Sequence, residues 1–474
     1  MSTVSWESLF SLPPNQRQQH RMHLVGIGGT GLAPIAKVLL QLGYRVSGSD
    51  REENERTAAL QKLGARTFVG HHAEQLLDNS TAPKRPDLVL ISSAIPASNP
   101  EIVQARTWNI PVIKRKNILG PLTAQRDVIA VAGTHGKTTT TGMITHILTQ
   151  AGKAPGYIIG SAIPGLGFSD AGQDATFVIE ADEYDYMFLG LQPRQLIITN
   201  LDWDHPDMFP SPESYQDAFL QLLARLRKDG QAIICRNDRT LRSWQQEGRF
   251  PHSISYGSIQ GADIRAEDID LHAHGSSYRL VSKHESSQVT LSVPGIHNIL
   301  NSLAALAATS AVDLPLAEAV PHLATFQGAA RRFEIKGEHN GVLIIDDYAH
   351  HPTEIQSTLQ AAQAGYPTRD IWAIYQPHTY SRTRTFLDLF NSAFNAADHL
   401  IVSDIYPARE PVDPTITPEL VVAASHHEQA QAIHRLDDIA TYLRQNLRPN
   451  SLVIILSAGT ATRLAPMLLS DSTL

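Results

Sequence analysis

The stretch IAVAGTHGKTTTTGMI, Ile129–Ile144, restricts the possible folds more than any other part of the chain. An apolar run stops at a glycine-bounded turn, and a lysine and four threonines then open an apolar helical pattern. A strand, a tight loop and a helix in that order turn backbone N–H groups and a helix N-terminus toward a phosphate. The usual loop of this kind, G-x-x-x-x-G-K-[ST], needs a glycine five residues before Gly136, but Val131 stands there. The loop is therefore a shortened one: Gly133, Thr134, His135, Gly136, Lys137, Thr138 and Thr139. Lys137 supplies a point charge for β- and γ-phosphates, and the Thr138 hydroxyl is suited to Mg²⁺. His135 has no role legible at this level.

The rest of the chain repeats the strand–turn–helix rhythm, which calls for α/β architecture with parallel sheets. A length of 474 residues suggests two to four domains. Three blocks are expected: residues 1–112, a Rossmann-like domain; 113–327, a central P-loop ATPase-like α/β domain; and 328–474, a second Rossmann-like α/β domain. A β-rich insert with little helical periodicity is expected from about Ser253 to Val293.

In the first block, Gly26, Gly28 and Gly31 form G-x-G-x-x-G between a strand and a helix, with Gly29 and Thr30 inside the turn. Asp50 ends the next strand. That context fits a pyrophosphate cradle and, read alone, favours NAD(P) and an oxidoreductase. His71 follows a glycine turn. Ser92 and Ser93 follow an apolar strand, at the edge where such sheets bind ligands.

In the second block, VIEADEYD offers Glu180, Asp182, Glu183 and Asp185, and ITNLDWDHPDMF offers Asp202, Asp204, His205 and Asp207. Carboxylates beside a threonine hydroxyl suit Mg²⁺, and a histidine inside an acidic loop is a candidate further ligand. Asn298 and Asn301, three apart at the start of a helix, share one face and could read a base edge or simply cap the helix. At the junction with the third block stand Arg331 and Arg332, within reach of a γ-phosphate across a cleft. The third block ends one strand with Asp346, Asp347, Tyr348, His350 and His351. Another ends with His378, Tyr380, Arg382 and Arg384.

Bulk properties exclude several classes. A net charge of −8 argues against a general nucleic-acid or membrane-surface binder. The N-terminal residues lack a basic segment followed by an apolar run, and no stretch reaches about 18 apolar residues. The single cysteine, Cys235, leaves no internal disulfide. A cytoplasmic protein is expected, a monomer or weak homodimer, without nucleic-acid partners or membrane insertion.

Taken together, GTHGKTT, EADE, TNLDWDHPD, PGIHNILNSLAA, GAARRFE and DDYAHHPTE resemble, in order, the signatures of the Mur ligases of bacterial cell-wall synthesis. VGIGGTGLAPIA, VSGSD and YQPHTYSRTRTF are most similar to the alanine-adding branch. The resemblance implies an ATP-dependent ligase that joins L-alanine to UDP-N-acetylmuramate through an acyl phosphate, with ATP and Mg²⁺. It implies that the first block holds the UDP-sugar through Gly28, Gly29, Thr30, Gly31, Asp50, His71, Ser92 and Ser93, rather than NAD(P). It further implies that the loop Gly133–Thr139, Asn298, Arg332 and Asp347 bind ATP, and that Thr138, Glu183 and His205 bind magnesium. Tyr348, His378 and Arg382 would place the amino acid, and Lys137, His205, Arg332, His350 and Arg382 would serve catalysis. The helix SYQDAFLQLLARLRK has no lysine before Lys228, where several later-acting relatives carry a carbamylated one; Thr379 stands where some alanine-adding relatives have arginine, and LSAGTATRL departs from the ending of many relatives. A recycling ligase that attaches a tripeptide to UDP-N-acetylmuramate is the competing reading, with an oxidoreductase more remote.

Overall fold

A computed structural model describes residues 5–78, 81, 83–250 and 252–470. The chain divides into two compact units of interleaved segments: residues 1–132, 148–198 and 217–233 form one, and 133–147, 199–216 and 234–474 the other. Among the described residues no helix is long and apolar enough to cross a membrane.

The first unit begins with a five-stranded sheet. Its strands are β1 (Arg21–Val25), β2 (Arg45–Asp50), β3 (Arg66–Val69), β4 (Leu88–Ile91) and β5 (Val112–Lys114). The order is β3-β2-β1-β4-β5 and every pairing is parallel, the doubly wound arrangement expected from the strand–helix alternation. Strand β1 is buried along its whole length, as a central strand covered on both faces must be. Further along the chain come β6 (Asp127–Ala132), β7 (Gly156–Ile163), β8 (Gly167–Asp170), β9 (Thr176–Glu180) and β10 (Gln195–Ile198). There β6 lies between β10 and β9, parallel to both, and β8 closes antiparallel on β7. Strand β11 (Gln231–Cys235) carries the chain from the first unit into the second. Its Cys235 is buried, and burial pushes the thiol up to about 11.

The second unit contains the β-rich insert: β12 (Ser253–Gly257), β13 (Ile264–His272), β14 (Gly275–Ser282) and β15 (Ser286–Leu291). The last three pair antiparallel as a meander, with a register shift in β13 between Glu267 and Asp270. The helix Ile296–Ser310 follows, and its small residues Ala304, Ala305, Ala307 and Ala308 are fully buried. The C-terminal sheet comprises β16 (Glu334–His339), β17 (Val342–Asp347), β18 (Asp370–Gln376), β19 (His399–Val402), β20 (Ala430–Ala432) and β21 (Ser451–Ser457). Its order is β16-β17-β21-β18-β19-β20, parallel except for the β16–β17 edge pair. One apolar cluster lies on each face, around Ile345, Tyr375 and Phe394 on one and Ile374, Ile439 and Leu464 on the other. The carboxyl ends of β17 and β18 deliver Asp346–Tyr348 and His378.

Candidate active site

In the first unit the glycine turn follows β1. The backbone N–H of Gly28 donates to Asp50 Oδ2 at 2.8 Å, so this carboxylate holds the turn from the end of β2. Gly29 and Thr30 are exposed, and Gly31 lies against the Arg115 guanidinium, which a Cβ there would have to displace. Arg115, which the sequence did not single out, pairs with Asp182 at 2.9 Å. Ser92 and Ser93 follow β4 directly, and Ser92 Oγ accepts from Ala94 N. His71 is held from behind: its Nδ1 lies 2.8 Å from Ser49 Oγ and 3.1 Å from the buried carboxylate of Glu101, which also meets His23 Nε2 at 2.8 Å. Glu183 belongs to this unit too and is buried.

The second unit holds the phosphate loop. Gly133 and Gly136 have φ of 125° and 82°, in the region that favours glycine. A Cβ at Gly133 would strike Thr199, and one at Gly136 would press on Asn301 Oδ1. The shortened loop is thus moulded on its neighbours. His135 N donates to Asn200 Oδ1 at 2.9 Å, and His135 O accepts from Thr199 Oγ1 at 2.6 Å and Asn200 Nδ2 at 3.0 Å. Thr134 Oγ1 donates to Asp202 O at 2.6 Å. The Lys137 ammonium lies over the loop, 2.6 Å from Gly133 O and 2.9 Å from Thr134 O.

Beside the loop is a cavity lined by Thr138, Thr139, Tyr256, Asn298, Arg332 and Asp347, among others. Asn298 Nδ2 donates to Pro294 O, its Oδ1 accepts from Asn301 Nδ2 at 3.2 Å, and Asn301 Oδ1 accepts from Thr140 Oγ1. The two asparagines thereby tie the start of their helix to the helix of the loop. Asp347 accepts from Phe333 N and Ala349 N, each at 2.7 Å, yet burial pushes its carboxyl up to about 6. Burial, then Arg332, holds the imidazole of His297 down at about 4. Of the two junction arginines, Arg332 lines the cavity, whereas Arg331 turns away to Asp346 and the carbonyl of Ser457. Both guanidinia flank the ring of Tyr348, at 5.1 and 5.2 Å from its centroid.

Five ionisable residues, His135, Asp202, Glu354, Arg332 and His350, form a hub at the loop. His135 Nε2 lies 3.1 Å from Asp202 Oδ2, and its Nδ1 lies 3.1 Å from Glu354 Oε1. Burial opposes charge on this imidazole, but the two carboxylates outweigh it and raise its pKa to about 9. Glu354 also receives Arg332 at 3.6 Å and His350 Nδ1 at 3.4 Å. His350 Nδ1 is 3.0 Å from Tyr348 O, which makes it the protonated nitrogen and leaves Nε2 as the acceptor. Burial and Arg382 keep His350 neutral.

A second buried group joins Arg382 and Asp204. Nε donates to Oδ1 at 2.8 Å and Nη2 to Oδ2 at 3.2 Å, while Nη1 donates to His378 O at 2.9 Å. His205 Nδ1 lies 3.3 Å from Nη2. The forked face of Arg382 that would receive an amino-acid carboxylate is therefore taken by Asp204 in this arrangement. His378 stacks on Tyr406, and burial, then Arg382, brings its imidazole down to about 4. Thr379 is bound to Glu410 at 2.6 Å.

An α/β chain with a doubly wound sheet, a lysine-bearing phosphate loop and a second parallel sheet presenting arginines and histidines has the architecture of an ATP-dependent ligase. Family models agree over three successive stretches: the Mur ligase family catalytic domain over residues 21–127, the Mur ligase middle domain over 131–309, and the Mur ligase glutamate ligase domain over 331–459. The chain belongs to the Mur ligase family, whose members use ATP. Among its relatives is a UDP-N-acetylmuramate–L-alanine ligase of Geobacter sp. (strain M21), 40% identical over 458 residues, covering 95% of this chain and 97% of the relative. A protein of the same name from Acidithiobacillus ferrooxidans is 39% identical over 455 residues, covering 94% and 96%. Among solved structures, UDP-N-acetylmuramate-alanine ligase MurC from Thermotoga maritima matches with TM-score 0.77 and 28% identity, over 94% of this chain and 98% of that one. A murein peptide ligase from Psychrobacter arcticus matches with TM-score 0.72 and 26% identity, over 96% and 100%.

Proposed function

We propose that this chain is an ATP-dependent ligase that joins L-alanine to the carboxylate of UDP-N-acetylmuramate in peptidoglycan precursor synthesis. The observation that carries the reading is the 40% identity, over nearly the full length of both chains, to a relative that bears that activity in its name. The expected domains, 1–112 for the UDP-sugar, 113–327 for ATP and 328–474 for the amino acid, are retained as part of the proposal.

The reaction begins when a carboxylate oxygen of the sugar attacks the γ-phosphorus of ATP and ADP departs. The alanine amine then attacks the acyl-phosphate carbonyl, and phosphate leaves from the tetrahedral intermediate. Charge neutralisation and positioning supply most of the rate in such transfers. In this reading Lys137 and Arg332 neutralise the phosphates, and Asn298 and Asp347 bind the nucleoside. Tyr348 and His378 are the residues for the amino acid, with Arg382 fixing His378 and Asp204. Neutral His350 offers its Nε2 as a hydrogen-bond acceptor for the attacking alanine amine. Thr138 and Glu183 offer oxygen donors of the kind magnesium prefers, and His205 offers a further ligand. Magnesium, when present, would supply positive charge to the phosphate oxygens.

Phosphate release and product mass, followed with ATP, magnesium, UDP-N-acetylmuramate and each of L-alanine, glycine, L-serine and L-Ala-γ-D-Glu-meso-diaminopimelate, test the proposal. L-alanine is expected to give the highest kcat/KM. Preference for the tripeptide would replace this reading with that of the recycling ligase. Saturable NAD(P)H binding without ATP turnover would overturn the ligase class.

A further inference from the structure

Three side chains at the rim of the phosphate loop converge on one point. His135 Nε2, Asp202 Oδ2 and His351 Nδ1 all lie within 4.8 Å of one another. The separation is 3.1 Å from His135 Nε2 to the carboxylate oxygen and 3.5 Å from His351 Nδ1 to the same oxygen. Bonds of about 2.0–2.2 Å in a tetrahedral zinc site put neighbouring ligand atoms roughly 3.3 Å apart. The two edges that meet at Asp202 Oδ2 thus already match a metal's coordination edge, and the third, between the histidine nitrogens, lies within 4.8 Å. We propose that His135, Asp202 and His351 form a binding site for a divalent transition-metal ion of the zinc type, distinct from any magnesium that accompanies the nucleotide.

The surroundings suit that assignment. Metal-ligating histidines commonly donate their second N–H to a carboxylate, which fixes the tautomer. His135 Nδ1 faces Glu354 Oε1 at 3.1 Å, and this leaves Nε2 directed at Asp202. The ring of His351 is buried and set by packing, 4.7 Å from Phe386 and 5.0 Å from His135 between centroids. Its Nδ1 lone pair takes only a long hydrogen bond from Thr353 N at 3.3 Å. The Thr353 hydroxyl steadies Asp202 Oδ2 at 2.6 Å. Two imidazoles and one carboxylate select zinc, cobalt or nickel over magnesium and calcium, which prefer oxygen donors. As the metal–nitrogen bond forms, the proton on His135 Nε2 leaves to solvent, and the metal replaces the cation that this proton makes between Asp202 and Glu354.

The full-length chain, stripped with a chelator, is titrated with ZnCl₂ against a chromophoric competitor in excess Mg²⁺, which blocks the magnesium ligands. The expected result is one zinc per chain, with binding weakened at least tenfold in Asp202→Asn and in His351→Ala. Glu354→Gln should weaken it by about 10–100-fold through the orientation of His135. His434, an exposed histidine between Asp404 and Glu419, provides the control, and His434→Ala should leave the affinity unchanged. Co²⁺ added to the wild-type chain should give the intense visible absorption of a four-coordinate site, a readout that needs no variant. Absence of zinc uptake under magnesium, wild-type affinity in both ligand variants, loss of the ion in His434→Ala, or a weak six-coordinate cobalt spectrum would each overturn the assignment.

Discussion

Replacing Arg382 by alanine should destabilise the second unit by more than the loss of one surface contact. The side chains of Arg382 and Asp204 are 7% and 6% exposed, and two hydrogen bonds of 2.8 and 3.2 Å join them. An exposed pair of this kind is worth at most about 1 kcal/mol. A buried one behaves differently: removing a single partner strands a desolvated charge and costs about 3–5 kcal/mol, whereas removing both costs far less. Arg382→Ala and Asp204→Ala should therefore each cost about 3–5 kcal/mol, and the double variant clearly less than their sum. Urea unfolding of the wild type, both single variants and the double variant, followed through the transition of the unit that contains them, measures the coupling. Additivity within about 0.5 kcal/mol would show that the pair is not energetically linked and would refute the reasoning. The pH dependence carries a matching signature. Burial opposes ionisation of Asp204, but the Arg382 guanidinium outweighs it and holds the carboxyl well below the ordinary aspartate value. A depressed carboxylate contributes stability that is present above its unfolded pKa and is lost as pH falls through its folded one. The difference between wild type and Asp204→Ala should thus be constant at neutral pH and shrink only in strong acid.

Three further outcomes are expected. His135, raised to about 9 by Asp202 and Glu354, contributes stability that is full below its unfolded pKa and is lost as pH rises through about 9; melting temperatures from pH 6 to 10, with chelator present, should show this fall in the wild type and a flatter profile in His135→Gln. Gly136→Ala places a Cβ against Asn301 at a φ of 82°, so it should cost at least about 1–2 kcal/mol and abolish ATP turnover, as calorimetry and phosphate release would show. Lys137→Ala should remove ligation while leaving UDP-N-acetylmuramate binding intact by isothermal titration; joint loss of both would count against separate sites for the two substrates.

The alternation of strands and helices made the α/β class legible, because period-two and period-3.6 patterns are local properties of the chain. The phosphate loop was equally plain, since glycines with a following lysine are short-range chemistry. Partnerships across long sequence separations were not. Glu354 reads as an ordinary capping residue, three positions into the helix after His351, and it does cap that helix. Its second task, joining His135 to Arg332, depends on the fold bringing residues 219 positions apart to 3.1 Å. Asp202 was one acid among three in its loop, and only the structure singles out its position between His135 and His351. Arg382 shows the same limit from the other side. Its chemistry suggested a carboxylate ligand, and a carboxylate is there, but it is Asp204 of the same chain.

The deeply buried Cys235, with its thiol held up at about 11, is a poor target for alkylating reagents at neutral pH. The native chain is thus almost silent toward maleimide chemistry without any cysteine having to be removed. A thiol introduced at exposed Val103 in the first unit, and another at exposed Val412 in the second, would be the two reactive positions in an otherwise unmodified enzyme. A donor and an acceptor dye at those points would turn each addition of ATP or UDP-sugar into an optical ruler reading of one unit against the other.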